Sequence, residues 1–165
     1  MIATLKFCLK IKILAKILTI QVKNEEIYGV PLTSYPAAVD TIKKHFTDRN
    51  LNSDYFDMVV TGDLGKYGYK IAKELLGKEG IELSDRFYDC GEMIYKEEQD
   101  THAGGSGCGC CASVFSGYIF DLLKNGKIDK VLLVATGALM STTSAFQGNS
   151  IPGVAHAVSI ERMKK

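Results

Sequence analysis

Val131-Leu132-Leu133-Val134-Ala135 is an unbroken apolar run of strand length. A strand with one wet face alternates apolar and polar residues. An unbroken run needs cover on both faces, and a parallel sheet with helices on either side supplies it. This short segment therefore points to a layered α/β domain, and the remaining segments can be tested against that architecture.

The chain punctuates accordingly. Residues 34–49 read as a helix: Thr33 or Ser34 can cap it, Pro36 suits its first turn, and Ala38, Ile42 and Phe46 recur on one face. Residues 56–60 form a β-type run that ends in the turn Thr61-Gly62-Asp63. A second helix is expected over residues 64–78, with Ile71, Leu75 and Leu76 as its apolar stripe and Gly77 and Gly80 as stops. Residues 87–95 have strand-like content, and 96–101 make a polar turn. The glycine-dense segment 103–109 precedes a third helix over 110–127, with Val114, Tyr118 and Leu122 on one face, Phe115, Ile119 and Leu123 beside them, and Asn125-Gly126 at its end. After the strand at 131–135 comes a Ser-, Thr- and Gly-rich loop over 136–150. The last strand covers 151–161. No helix is expected before that strand, so it should run antiparallel at one edge of a largely parallel sheet. A first strand is expected within residues 4–22.

Apolar residues make up 46% of the 165 and charged residues 24%, a balance that fits one soluble domain with a core of its own. The net charge of +1 gives no electrostatic reason to bind nucleic acid. Residues 2–22 are apolar-rich, but Lys6, Lys10, Lys12 and Lys16 interrupt them. A spanning helix needs about 20 mostly apolar residues, so the segment reads as a buried edge with solvated lysines rather than a span. Cys108, Cys110 and Cys111 lie too close together for ordinary bridges, while Cys8 and Cys90 stand alone. One short cluster lacks the second pair of a zinc site, so no metal is expected.

Several constellations could carry chemistry. Gly104-Gly105-Ser106-Gly107-Cys108-Gly109 sits directly before a helix, where backbone amides are unpaired and the helix dipole favours an anion. The loop could cradle a carboxylate or phosphate, or its glycines could serve only close packing. It lacks the lysine of a P-loop and the context of a dinucleotide fingerprint. His102 precedes the loop and could donate to an anion or stand exposed. His156 could point into the same pocket or satisfy a bond in the sheet. Thr61 and Asp63 follow the carboxyl end of a strand, where open α/β sheets bind ligands. Thr61 could reach a ligand, and Asp63 suits a helix N-cap. His45, beside lysines on a helix face, reads as surface. Cys108 or Cys110 with His102 as base would make a nucleophilic pair, but such cysteines more often only pack.

The strings at 60–65, 103–110, 134–139 and 151–161, with Pro36-Ala37-Ala38-Val39-Asp40-Thr41-Ile42, resemble the stage V sporulation protein AD family over residues 34–162. That family has the thiolase fold, two similar βαβαβαββ halves, and this chain is similar to the second. The resemblance implies a module that binds dipicolinic acid (pyridine-2,6-dicarboxylate) without catalysis or cofactor. It implies a part in moving dipicolinate into the developing spore, with other proteins of the same sporulation operon. It also implies a place at the spore inner membrane without a span. By position, the Thr61 to Asp63 turn, the loop from His102 through Gly104, Gly105, Ser106 and Gly107, and the His156 region are similar to the loops that line the family's site. In thiolase-like enzymes the nucleophilic cysteine comes from the first half, and the first loop here has no histidine, which speaks against acyl condensation. The alternatives are a thiolase-like acyltransferase or an inactive truncated fragment. Residues 1–33 depart from the family and form an atypical segment ahead of the domain at 34–165. A first half, or a second copy of this chain, is then needed to cover one face of the sheet.

Overall fold

The computed structural model describes residues 9–14, 20–22, 31–138, 141–148 and 151–163. Cys8, Lys6, Lys16, residues 24–29 and Leu139 lie outside the described residues.

The strands are β1 (Leu9–Leu14), β2 (Ile20–Val22), β3 (Met58–Thr61), β4 (Phe87–Asp89), β5 (Lys130–Ala138) and β6 (Ile151–Arg162). The helices are α1 (Pro31–Asp48), α2 (Gly65–Lys78), α3 (Cys90–Met93), α4 (Gly109–Val114), α5 (Phe120–Lys124) and α6 (Thr142–Phe146). A π-helical turn, Phe115–Ile119, joins α4 to α5. One mixed sheet runs β1-β6-β5-β3-β4, with β2 also paired to β6. β3 is parallel to β4 and to β5. β6 is antiparallel to β5, β1 and β2, so among the described strands it pairs in that sense with every neighbour. The expected order is seen: strand and helix in alternation, then two closing strands. The closing strand is antiparallel as expected, but it is not at an edge. β1 and β2 pair with its far side, and β1 is the first strand expected within residues 4–22.

The unbroken run in β5 is covered twice. On one face Leu132 and Val134 join Val59, Phe87, Ala155 and Ala157 beneath Ala38, Ile42 and Phe46 of α1 and Ala72 and Leu76 of α2. On the other, Val131 joins Met58, Val60 and Ile160 beneath Cys110, Val114, Ile119 and Leu123. Alternate strand residues serve opposite cores because successive side chains point to opposite faces. Each large side chain so buried contributes about 1.5–3 kcal/mol.

Four local readings change. α1 begins at Pro31, so Thr33 and Ser34 lie within it rather than capping it. Proline fits a first helical position, which lacks an intrahelical N–H partner anyway. The strand expected over 87–95 stops at Asp89, where the Asp89 side chain accepts a bond from the Glu92 amide and turns the chain into α3. α6 occupies part of the loop expected over 136–150. The third helix buries Val114, Ile119 and Leu123, so its buried stripe passes from the face of Val114 to the positions expected beside it and leaves Tyr118 out. The π turn inserts one residue into the 3.6-residue repeat, so the buried positions step on by one and Tyr118 is left 52% exposed.

His45 is also not at the surface. It is buried against Phe46 and Phe56, and neither ring nitrogen has a hydrogen-bond partner. Burial, helped by nearby Arg49, lowers its pKa to about 4, so the ring is neutral.

Candidate functional site

The parallel strands β3 and β4 bring their carboxyl ends together at Thr61 and Asp89, in one row of the sheet with Val134 of β5. In open α/β sheets this edge faces the ligand crevice. Here its first layer is a rigid hydrogen-bond scaffold.

Asp89 is fully buried at the end of β4. One carboxylate oxygen accepts from Thr61 Oγ1 at 2.6 Å and from the Leu64 amide at 2.9 Å. The other accepts from the amides of Gly65 at 2.8 Å and Glu92 at 3.2 Å. Burial raises the pKa of this carboxyl, while the four donors pull it back towards the charged form. Asp89 therefore caps α2 and α3 together and ties β3 to β4. Sequence reasoning missed it, because a cap that closes a helix 24 residues away leaves no local spacing to read. Only its second cap, Asp89 to the Glu92 amide, carried a local signal, an Asp three residues before a Glu.

Asp63 was expected to cap α2. Instead its carboxylate accepts from Thr136 Oγ1 at 2.6 Å, and its own amide donates back to that hydroxyl at 3.1 Å. This pair ties β3 to β5. Both Thr61 and Asp63 are thus buried in the scaffold and engaged with protein groups.

The glycine loop divides into two parts. Gly104 and Gly105 pack on Gly91: the Gly105 amide donates to the Gly91 carbonyl at 2.6 Å, and the Gly104 amide donates to the Thr101 carbonyl at 3.0 Å. A Cβ on Gly91 would overlap the Gly105 carbonyl, and Gly104 adopts a φ of +84°. Close packing thus accounts for these two glycines, and their amides are occupied. Ser106 and Gly107 are exposed beyond them.

His102 stands on the outer side of this loop, with its side chain 85% exposed and Nδ1 3.4 Å from Asp100. Beside it lies a hollow of about 620 Å³, lined by Lys66 and Tyr67 of α2, by Glu92, Tyr95, Lys96, Glu97, Asp100 and Thr101, and by His102 and Gly104. The Lys66 amide donates to the Ala103 carbonyl at 2.8 Å, which fixes the start of α2 against the loop. Tyr67 and Tyr95 are exposed, Tyr67 the more so. Lys66, Lys96, Tyr67 and Tyr95 were not singled out from sequence. Lysine and tyrosine are common surface residues, and only the fold brings these four together.

His156 is placed elsewhere. It is half-buried on β6, opposite Ala135 of β5. β5 and β3 separate β6 from β4, about 14 Å at the usual strand spacing. The structure thus groups His102 with Gly104 at the hollow, holds Thr61 and Asp63 in the scaffold beneath, and sets His156 apart.

Among the described residues no group of His, Cys, Asp and Glu is arranged to hold a metal ion. No described helix is long and apolar enough to cross a membrane. Cys110 is buried, and burial together with the nearby carboxylates of Asp63 and Asp89 pushes its thiol pKa up. Cys108 is exposed.

Fold and site together define a layered α/β module with a polar, tyrosine-flanked hollow near the carboxyl ends of its parallel strands. The model of the stage V sporulation protein AD family matches residues 7–161. The chain is 46% identical over 127 residues to stage V sporulation protein AD of Bacillus subtilis (strain 168), a stretch covering 77% of this chain and 38% of that protein. The chain belongs to the stage V sporulation protein AD family, and the match spans well under half the length of that relative. Among solved structures, a variant of OleA from Xanthomonas campestris aligns with a TM-score of 0.45 and 13% identity over 86% of this chain and 42% of that one. The fold assignment rests on the strand order itself.

Proposed function

We propose that this chain is a non-catalytic binding module for a small aromatic dicarboxylate, dipicolinate, within the system that moves it into the developing spore. Membership of a sporulation family gives the context. The observation that carries the reading is the hollow beside the glycine loop. Lys66, Lys96 and His102 can pair with carboxylates, and Tyr67 and Tyr95 offer rings on which a flat heterocycle can stack. Glu92, Glu97 and Asp100 line the same hollow, so its field is mixed, and a dianion must be held by specific pairing rather than by bulk charge.

An acyl-transfer reading asks for a cysteine activated by a base. His102 stands exposed on the outer side of the loop, and Cys110 is held protonated in its buried place, so the binding reading is preferred. Incubation with an acyl-coenzyme A and mass spectrometry separate the two readings, since only the enzyme forms a cysteine adduct.

The proposal includes peripheral association with the spore inner membrane and assembly with other products of the sporulation operon. It also includes cover for the α4–α5 side, where Met93, Ile94, Val114 and Tyr118 line an open apolar groove. A first half of the protein, or a second copy, suits that side.

The test is calorimetric titration of the folded chain with dipicolinate. Saturable binding that falls at least tenfold in Lys66→Ala/Lys96→Ala supports the reading. Binding unchanged in that variant, or no binding by folded chain, removes the hollow as the site.

A further inference from the structure

The two helical layers differ in the charge they show to solvent. On the α4–α5 side no Asp, Glu, Lys or Arg occurs between Asp100 and Asp121. α2 is the opposite case. Gly65, Gly68, Ala72 and Leu76 are buried on its inner side, and its outer side carries Lys66, Lys70 and Lys73 at i, i+4 and i+7, with Tyr67 exposed beside them. The acids near this face are engaged or set aside. Glu74 pairs with Lys78 at 2.6 Å, Glu79 with Lys43, and Asp40 of α1 with Lys44 at 2.7 Å. Glu82 lies against Gly77, near the end of the helix. Among the described residues no carboxylate forms an ion pair with Lys66, Lys70 or Lys73. The Lys73 ammonium instead sits 5.8 Å from the centre of the Tyr69 ring.

We propose that the outer face of α2, through Lys66, Lys70 and Lys73, docks the chain on a lipid surface rich in anionic headgroups. The inference rests on the peripheral membrane association proposed above and names the face that makes it. Charge complementarity carries it. A lysine ends in a mobile point charge, which suits a diffuse layer of headgroups, whereas a single fixed anion favours the planar fork of arginine. A tyrosine ring suits the boundary between headgroups and acyl chains, and Tyr67 stands at one end of the row. The apolar side of α2 is committed to the core, so the helix rests on the headgroups and does not sink between the lipids. The attraction is then electrostatic, about fivefold in partitioning for each lysine, and it is screened by salt.

The two layers then divide the work. The α4–α5 side, bare of charge, suits cover by protein, which leaves the α1–α2 layer outermost to meet the membrane. Lys66 belongs both to the docking face and to the lining of the hollow, so the hollow sits at the rim of the contact. Because Lys66 has this second role, the test leaves it in place.

The experiment sediments the full folded chain with vesicles of phosphatidylglycerol and phosphatidylcholine in equal parts, and with vesicles of phosphatidylcholine alone. The expected result is binding to the first kind only, lost at high salt. Lys70→Glu/Lys73→Glu should lower that binding at least about tenfold, and Lys70→Arg/Lys73→Arg should keep it. Lys124→Glu/Lys127→Glu changes the net charge equally at exposed positions near the end of α5, and it should lower binding no more than about threefold. Circular dichroism checks that each variant is folded. Unchanged binding in the α2 charge reversal, or an equal loss in both reversals, would overturn this face and leave peripheral association standing. A wild-type chain that sediments with neither vesicle would overturn both. Retention on a polyglutamate column without vesicle binding would assign the lysines to an acidic protein and overturn lipid docking.

Discussion

The two faces of the sheet are built by different means. The α1–α2 face is an aliphatic and aromatic core, in which Phe46, Phe56 and Tyr55 meet edge to face. Its buried polar groups include some with no partner, His45 and Ser159. The α3–α4–α5 face keeps a smaller apolar core, and at the carboxyl ends of the strands α3 is fastened to the start of α2 and to the glycine loop by directed bonds, through the carboxylate of Asp89 and the glycine contacts. The apolar cores hold the domain together; the bonds at the strand ends hold a site in shape. Burial of apolar area is tolerant of small shifts, whereas a hydrogen-bonded scaffold fixes positions.

Substitutions in the core and at the strand ends should break this contrast in different ways. Phe56→Ala should have the largest effect, a loss of about 3–5 kcal/mol read by chemical denaturation, because it empties the centre of the first core. Asp89→Ala should cost about 3 kcal/mol by the same measurement, since it strips four donors, three of them in buried bonds, of their acceptor. The two should differ in kind. Asp89→Ala should also raise the alkylation rate of Cys111 under native conditions, and Phe56→Ala should not until the chain unfolds.

The π turn sharpens the comparison within the second face. Ile119→Ala should cost about 2–5 kcal/mol and Tyr118→Ala no more than about 0.5 kcal/mol. Equal losses would mean that the regular helical repeat applies after all.

An acid sensitivity of the first face completes the comparison. The His45 pKa is lowered in the folded chain from 6.5 to about 4. Above pH 6.5 neither state carries the proton and stability is unaffected. Below it the unfolded chain takes up a proton that the folded one refuses, so stability falls as the pH drops towards 4. His45→Leu should flatten that slope in thermal melts taken between pH 7 and 4.

How much of this was legible follows the same division. The unbroken run at 131–135 announced two covered faces, and Ala38, Ile42 and Phe46 are buried where their spacing puts them. Gly80 ends α2 with a φ of +78°, as its place in the sequence suggested. Local periodicity encodes such features, so a sequence shows them. His45 was misread because lysine neighbours argue for a surface and say nothing about Phe56 packing from another element. Tyr118 was misread because a π turn has no sequence signature in the repeat it interrupts. At the site, His102 and the glycine loop stood out by composition, but the jobs of Thr61, Asp63 and Gly105 depend on Asp89, Thr136 and Gly91, which reach them from other parts of the chain. Long-range pairing of this kind is set by the sheet and leaves no spacing in the chain.

The most direct test of the binding reading is a dipicolinate titration followed by amide and side-chain chemical shifts in nuclear magnetic resonance. The account predicts saturable shifts at Lys66, Tyr67, Tyr95, Lys96 and His102, with the His156 signals unmoved. Shifts centred on His156, or none on a folded chain at saturating ligand, would contradict it.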